Sequence, residues 1–175
     1  MKKKVLFICT HNSARSQMAE GLMRTLYPDR YEAYSAGTEP SGLNLLAVKV
    51  MAGIGIDISS HRSKRLDEFL DMKFDYVITV CDQARQICPF FPGGKEFIHR
   101  GFEDPAAFSG SEDEKIAIFK RFRDEIREWI EETFGGEGGE RKVKMIQDIL
   151  LVFRLFDPGI LHEKGEKSVS LLSTS

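Results

Sequence analysis

The chain has 175 residues and a nearly balanced charge, 25 Lys and Arg against 27 Asp and Glu for a net of -2. A length near 150 residues supports one domain that buries roughly two-thirds of its unfolded surface, and the balance excludes a global basic field for nucleic acid or an acidic membrane. Any anion site must be local. Three cysteines are few and odd for a secreted disulfide scaffold; they fit a reducing compartment, where thiols are catalytic, metal-binding or inert core. The basic start MKKK precedes only a short apolar run, Val5 to Ile8, before polar His11, Asn12 and Ser13. That is unlike a signal peptide, and a cytoplasmic protein is expected.

Residues 5–9 (VLFIC) are continuously apolar, as in a strand covered on both faces of a parallel sheet. From Ser16 the spacing becomes helical, with Met18, Leu22, Met23 and Leu26 on roughly one face and Pro28 stopping the pattern. Residues 31–36 read as a second strand ending at Gly37, and 43–51 as a helix closed by Gly53 and Gly55. Residues 66–72 read as a short helix, 74–80 as the clearest later strand, and 97–99 as a shorter one. Residues 112–134 form a long amphipathic pattern whose apolar side carries Ile116, Phe119, Phe122, Ile126, Trp129 and Ile130, aromatics of a core rather than of a cofactor site.

Strands alternating with helices predict an α/β fold, a small parallel four-stranded sheet flanked by helices on both faces with ligands at the carboxyl ends of the strands. This domain spans 1–134. Residues 135–140 (GGEGGE) read as a Gly-rich linker and 141–175 as a C-terminal extension of unassigned role. Its apolar stretch 145–156 is short for a membrane span and contains Gln147, Asp148 and Arg154, which fits a helix packed on the domain or a partner. A monomer is expected, with the extension as the route to any dimer.

The segment CTHNSARS puts Cys9 at the end of the first strand, with five residues between it and Arg15 and Ser16 opening a helix, a Cys-x5-Arg phosphate loop. Such a loop aims successive backbone N–H groups, a helix N-terminus and the Arg15 guanidinium at one tetrahedral oxyanion, phosphate or arsenate. The same field is expected to depress the Cys9 pKa. Cys81 follows directly on the strand ending at Val80, so doubly wound geometry brings it to the same sheet edge. Cys88 comes seven residues later. If the intervening residues are helical, the two cysteines stand about 10.5 Å apart along the axis, whereas a disulfide needs Cα atoms within about 7 Å. Joining them must therefore remodel that segment. The spacing is wrong for a Cys-x2-Cys metal pair. His11, His61 and His99 show no ligand-like spacing.

CTHNSARSQMAEG resembles the start of the low-molecular-weight protein tyrosine phosphatases and arsenate reductases, a resemblance that runs to about Phe134. VITVCDQARQICP and GFEDPA are similar to the redox segment and acid loop of thioredoxin-coupled arsenate reductases, and plain phosphatases of this fold lack that cysteine pair. The resemblance implies Cys9 as nucleophile, Cys81 and then Cys88 as a relay ending in a disulfide, and Asp104 as general acid, with adjacent Glu103 its rival. It implies that Thr10, His11, Asn12, Ser13, Ala14, Arg15 and Ser16 bind arsenate, with phosphate or sulfate as competitors. No bound cofactor is implied; thioredoxin is the external reductant. Asn12 and Ser16 orient the loop. Some family members hold potassium beside it with an Asn, a Glu, a Ser and an Asp; Asn12, Glu20 and Ser35 match three, but Lys64 stands in the fourth place, so no metal is expected and the Lys64 ammonium is expected to replace the ion. Two alternatives remain at this point: a tyrosine phosphatase, which needs Cys9, Arg15 and Asp104 but not Cys81 or Cys88, and a non-enzymatic oxyanion or redox sensor.

Overall fold

The structure is a computed structural model that describes residues 1–136 apart from 88 and 89. Cys88, most of the predicted linker and the extension 141–175 lie outside the described residues. The predicted first strand becomes β1 (Lys3–Cys9), which pairs on one side with β2 (Tyr31–Gly37) and on the other with β3 (Phe74–Thr79). β4 (Gly94–His99) adds to the far edge of β3, giving the order β2-β1-β3-β4 with every pairing parallel. Val5, Leu6, Phe7 and Ile8 are all fully buried; since successive strand side chains point to opposite faces, both faces of the sheet are covered. The layers are α1 (Arg15–Leu26), α2 (Leu45–Ala52), α3 (Asp82–Ile87) and α4 (Glu112–Phe134).

Three predicted boundaries change for identifiable reasons. β4 begins at Gly94, not residue 97, because Gly94 pairs with Phe74 and a Cβ there would stand 2.7 Å from both Val77 and Phe97. The glycine permits a close approach of neighbouring side chains within the sheet. Residues 66–69 form only a 3-10 turn. α2 starts at Leu45, where Asn44 Oδ1 accepts from the backbone N–H groups of Leu46 and Ala47. α4 has the predicted bounds, opened by a Ser111–Glu114 capping box. Its Phe119, Phe122, Ile126 and Ile130 are buried, while Ile116 and Trp129 are partly so. Among the described residues no helix is long and apolar enough to cross a membrane.

The topology gathers three strand ends. Cys9 is in register with Gly37, and Val80 N–H donates to Ile8 C=O at 2.8 Å, so the chain leaving β3 emerges beside the chain leaving β1. At the other end of α4, Phe134 closes the domain with edge-on aromatic contacts to Tyr31 and Tyr76, both at 5.4 Å between ring centroids, and to Trp129 at 5.9 Å. Phe134→Ala opens a cavity among these rings and is expected to cost about 3–5 kcal/mol, read as a lower urea midpoint at unchanged slope.

Candidate active site

Residues 9–15 leave β1, turn, and enter α1 within a few residues. The loop is shaped by the destination of its carbonyls. Cys9 C=O accepts from Thr38 N–H, Thr10 from Glu39, His11 from Ser41, Ser13 from Asn44 and Ala14 from Met18. Asn12 C=O accepts from Gln17 Nε2 and Ser63 Oγ. Across a trans peptide the N–H points opposite to the C=O, so carbonyls tied outward leave the N–H groups facing inward, the concave nest that anions occupy. Asn12 N–H donates to Cys9 Sγ at 3.1 Å. Gly37 permits the tight seam with the β2 exit: a Cβ there would lie 2.7 Å from Thr10 C=O and 2.9 Å from Asn12 N.

Asn12 is the one described non-glycine residue with positive φ, at 46°, a conformation that Asn tolerates better than most side chains. Its amide is saturated. Nδ2 donates to Ser16 Oγ and Ser35 Oγ, both at 2.8 Å, and Oδ1 accepts from Gln17 Nε2 at 3.0 Å and Lys64 N–H at 2.8 Å. Because Ser16 Oγ accepts from Asn12, its own proton is available to Cys9 Sγ, 2.9 Å away. Ser35 likewise accepts from Asn12 and donates to Glu20. The buried Glu20 carboxylate also meets Arg24 at 2.7 Å and Lys64 Nζ at 3.2 Å, so its charge is paired. Gln17, which bonds Asn12 twice, Arg62 C=O and His61 Nδ1, was not legible as a site residue; it lies within CTHNSARSQMAEG, and that segment was the signal that could have found it.

Arg15 is buried, donating from one guanidinium nitrogen to Phe102 C=O at 2.9 Å and pairing through the other with Asp104 at 3.1 Å. Asp104 also caps the 3-10 turn Pro105–Ala107 through Ala106 N–H. Glu103 points away, 86% exposed and 3.8 Å from Arg121. Of the two neighbouring acids, only Asp104 is aimed at the loop. His11, on the loop rim, bonds Glu39 C=O through its ring.

Cys81 is buried beside the same loop. Thr10 Oγ1 donates to Gln83 Oε1 at 3.2 Å, so toward Cys81 Sγ, at 3.4 Å, it is the acceptor of the thiol proton. Ala84 N–H also reaches this sulfur at 3.4 Å.

The expected depression of the Cys9 pKa is not what the structure gives. Burial pushes the Cys9 thiol up from its ordinary value and outweighs the opposing pull of Ser16, Arg15 and Asn12. The motif announces the donors but not the depth at which the strand end is buried, and Arg15 divides its donors among Phe102 and Asp104. The sign sets a prediction. Ser16→Ala removes the leading downward influence, so the Cys9 thiol rises further and the midpoint of its alkylation by iodoacetamide moves to higher pH. A hydrogen bond to a charged group is worth about 1.5–3 kcal/mol, so alkylation at neutral pH should slow by roughly tenfold or more.

A family model described as low molecular weight phosphotyrosine protein phosphatase matches residues 4–144. The arsenate reductase of Halalkalibacterium halodurans is 48% identical over 137 residues, covering 78% of this chain and 98% of the relative. An arsenate reductase solved in the phosphate binding state superposes with a TM-score of 0.64 at 34% identity, over 75% of this chain and 95% of the other. A second, solved in the oxidized state, gives 0.63 at 33% identity over 74% and 94%. Sequence, parallel sheet and loop agree, and the chain belongs to the low molecular weight phosphotyrosine protein phosphatase family.

Proposed function

We propose that the protein reduces arsenate to arsenite through the thiols of Cys9, Cys81 and Cys88, in the cytoplasm, with thioredoxin as the reductant that resets it. The observation that carries this reading is the second thiol at the oxyanion loop, Cys81 hydrogen-bonded to Thr10, the residue next to Cys9. Phosphate ester hydrolysis has no use for it. The relatives named arsenate reductase support the same substrate.

Arsenate sits in the loop of residues 10–16, its oxygens held by inward N–H groups and the Arg15 fork, where phosphate or sulfate competes. An anion that takes the Arg15 fork draws Arg15 away from Asp104 and leaves that carboxyl beside a departing oxygen. The Cys9 thiolate attacks arsenic, and Asp104 donates the proton with which hydroxide leaves as water. Cys81 then attacks Cys9 Sγ, the S–As electron pair passes to arsenic, and arsenite departs. Cys88 attacks Cys81, releasing Cys9 and leaving the Cys81–Cys88 disulfide for thioredoxin. α3 lies between the two relay cysteines, and closing the disulfide requires that it unwind.

The phosphatase reading keeps one observation in its favour: Cys9, Arg15 and Asp104 converge without help from Cys81. An assay coupled to thioredoxin and thioredoxin reductase separates the two. Cys81→Ser and Cys88→Ser are expected to lower arsenite release by more than about a hundredfold, the scale on which losing one essential member of a catalytic set is felt, while aryl phosphate hydrolysis survives. Aryl phosphate hydrolysis without thioredoxin-dependent arsenite release in the wild type would favour a phosphatase, and tight arsenate binding without turnover would favour a sensor.

Lys64 takes the place of a bound cation in this reading. Its ammonium reaches Glu20, its N–H reaches Asn12, and both belong to the cluster with Ser35 that braces the loop. Exchanging sodium for potassium at constant ionic strength is therefore expected to leave arsenate turnover unchanged; a several-fold rise would defeat the assignment.

A further inference from the structure

Asp82 follows Cys81 and opens α3, and its Oδ1 lies 2.8 Å from Nε2 of His99, the last residue of β4. A carboxylate can only accept, so Nε2 carries a proton. The other ring nitrogen, Nδ1, lies 2.9 Å from Oγ1 of Thr79, the last residue of β3 and the register partner of His99; in the neutral ring it accepts the Thr79 hydroxyl proton. One imidazole thus joins the strand that delivers Cys81 to the helix that follows it. Its own segment is fixed, since Arg100 N–H donates to Thr79 C=O at 3.0 Å and Phe102 N–H to Val80 C=O at 3.1 Å. Gly101 leaves room for the pair: a Cβ there would stand 2.8 Å from Asp82 Oδ1 and 3.4 Å from His99 Nε2. The ring is mostly enclosed, its side chain 20% exposed, whereas the Asp82 side chain is 81% exposed. The fixed half of the contact is therefore the strand side, and the half that can leave is the helix side.

We propose that His99 is a positioning residue for the thiol relay, holding Asp82 so that the helical dithiol form of α3 is favoured over the Cys81–Cys88 disulfide and the reduction potential of that couple is raised. The proposal rests on the relay reading above. In the couple, two thiols give up two protons and two electrons as the S–S bond forms. The electrons pass to arsenic in turnover and are returned by the thioredoxin dithiol. Drawing Cys81 toward Cys88 breaks the first turn of α3, closed by Arg85 N–H on Cys81 C=O at 3.2 Å, and carries the adjacent Asp82 off the imidazole. A contact present only in the reduced form raises the potential, and its removal lowers it.

The test equilibrates the full chain against glutathione redox buffers, with the Cys81–Cys88 disulfide mapped by peptide mass, for wild type, His99→Ala, Asp82→Ala, the double variant and His99→Gln. His99→Ala is expected to shift the equilibrium toward the disulfide by about threefold, in keeping with a largely exposed partner, which is roughly 14 mV more negative at 29.6 mV per tenfold. The double variant should shift no further than the larger single one. His99→Gln, whose terminal amide can reach Asp82, should recover most of the wild-type value. Equal potentials in wild type and His99→Ala, or additive shifts in the double variant, would overturn the proposal while the mapped disulfide leaves the relay standing. An unchanged potential accompanied by loss of aryl phosphate hydrolysis would make His99 merely structural and overturn it too. Failure to find a Cys81–Cys88 disulfide in the oxidised wild type would instead overturn the relay reading, and this role with it.

Discussion

A short loop can bind an oxyanion through its backbone only if its carbonyls are satisfied elsewhere, because an unpaired buried carbonyl is itself costly and would repel the anion. In this chain that constraint organises everything near the sheet edge. The β2 exit, residues 38–44, supplies four backbone donors in sequence to the loop's outer rim, and Ser63 and Gln17 supply the two that meet Asn12. Asn12 bends the chain through a left-handed conformation and locks it with a saturated amide. Segments far apart in sequence are thus held together by the requirement to turn one loop inside out.

The same network decides the electrostatics. Glu20 lies under the loop as a buried carboxylate that orders Ser35, and Lys64 and Arg24 offset its charge. The cluster therefore braces Asn12 without placing an uncompensated negative charge beneath an anion site. Arg15 is held between Phe102 and Asp104, which links the segment of Asp104 to the loop of residues 9–15 through one side chain. The Cys9 sulfur is buried with hydrogen-bond donors close by, so burial and hydrogen bonding oppose one another at this thiol.

What was legible in the sequence was whatever depends on local spacing. β1 and α4 declare themselves by continuous and helical apolar patterns, and Cys9 and Arg15 by their separation within one turn. Cys81 could be brought to the loop because parallel strands share a carboxyl edge. Features set by tertiary contact were hidden. Gly94 fell outside the predicted strand because its crowding by Val77 and Phe97 is tertiary, and Gly37, correctly read as a strand end, gives no sign in sequence that the loop packs on it. The resemblance favours Asp104 over its neighbour Glu103, and the contacts separate them physically: Asp104 pairs with Arg15, whereas Glu103 is exposed toward Arg121. Gln17 lies within the quoted segment CTHNSARSQMAEG without a role assigned to it and His99 lies in no quoted motif, and each gains partners from segments that the sequence gives no reason to align. The rise in the Cys9 pKa was missed for the same reason, since depth of burial is a property of the whole fold.

The division of labour among the helices follows from these contacts. α1 cannot move without dismantling the site, because Arg15, Ser16, Gln17 and Glu20 in its first turns all brace the loop. α4 is bound to the aromatic core along much of its length. α3 has only six residues, of which Ala84 alone is buried, and helices shorter than roughly 12 residues have little stability of their own in water. It is the element whose remodelling disturbs least of the oxyanion loop. In the proposed relay the attacking thiol leaves a rigid strand, whereas its resolving partner lies beyond a helix held by few contacts. The junction of β3 and α3 thus divides a segment tied to the sheet from a short helix with one buried residue.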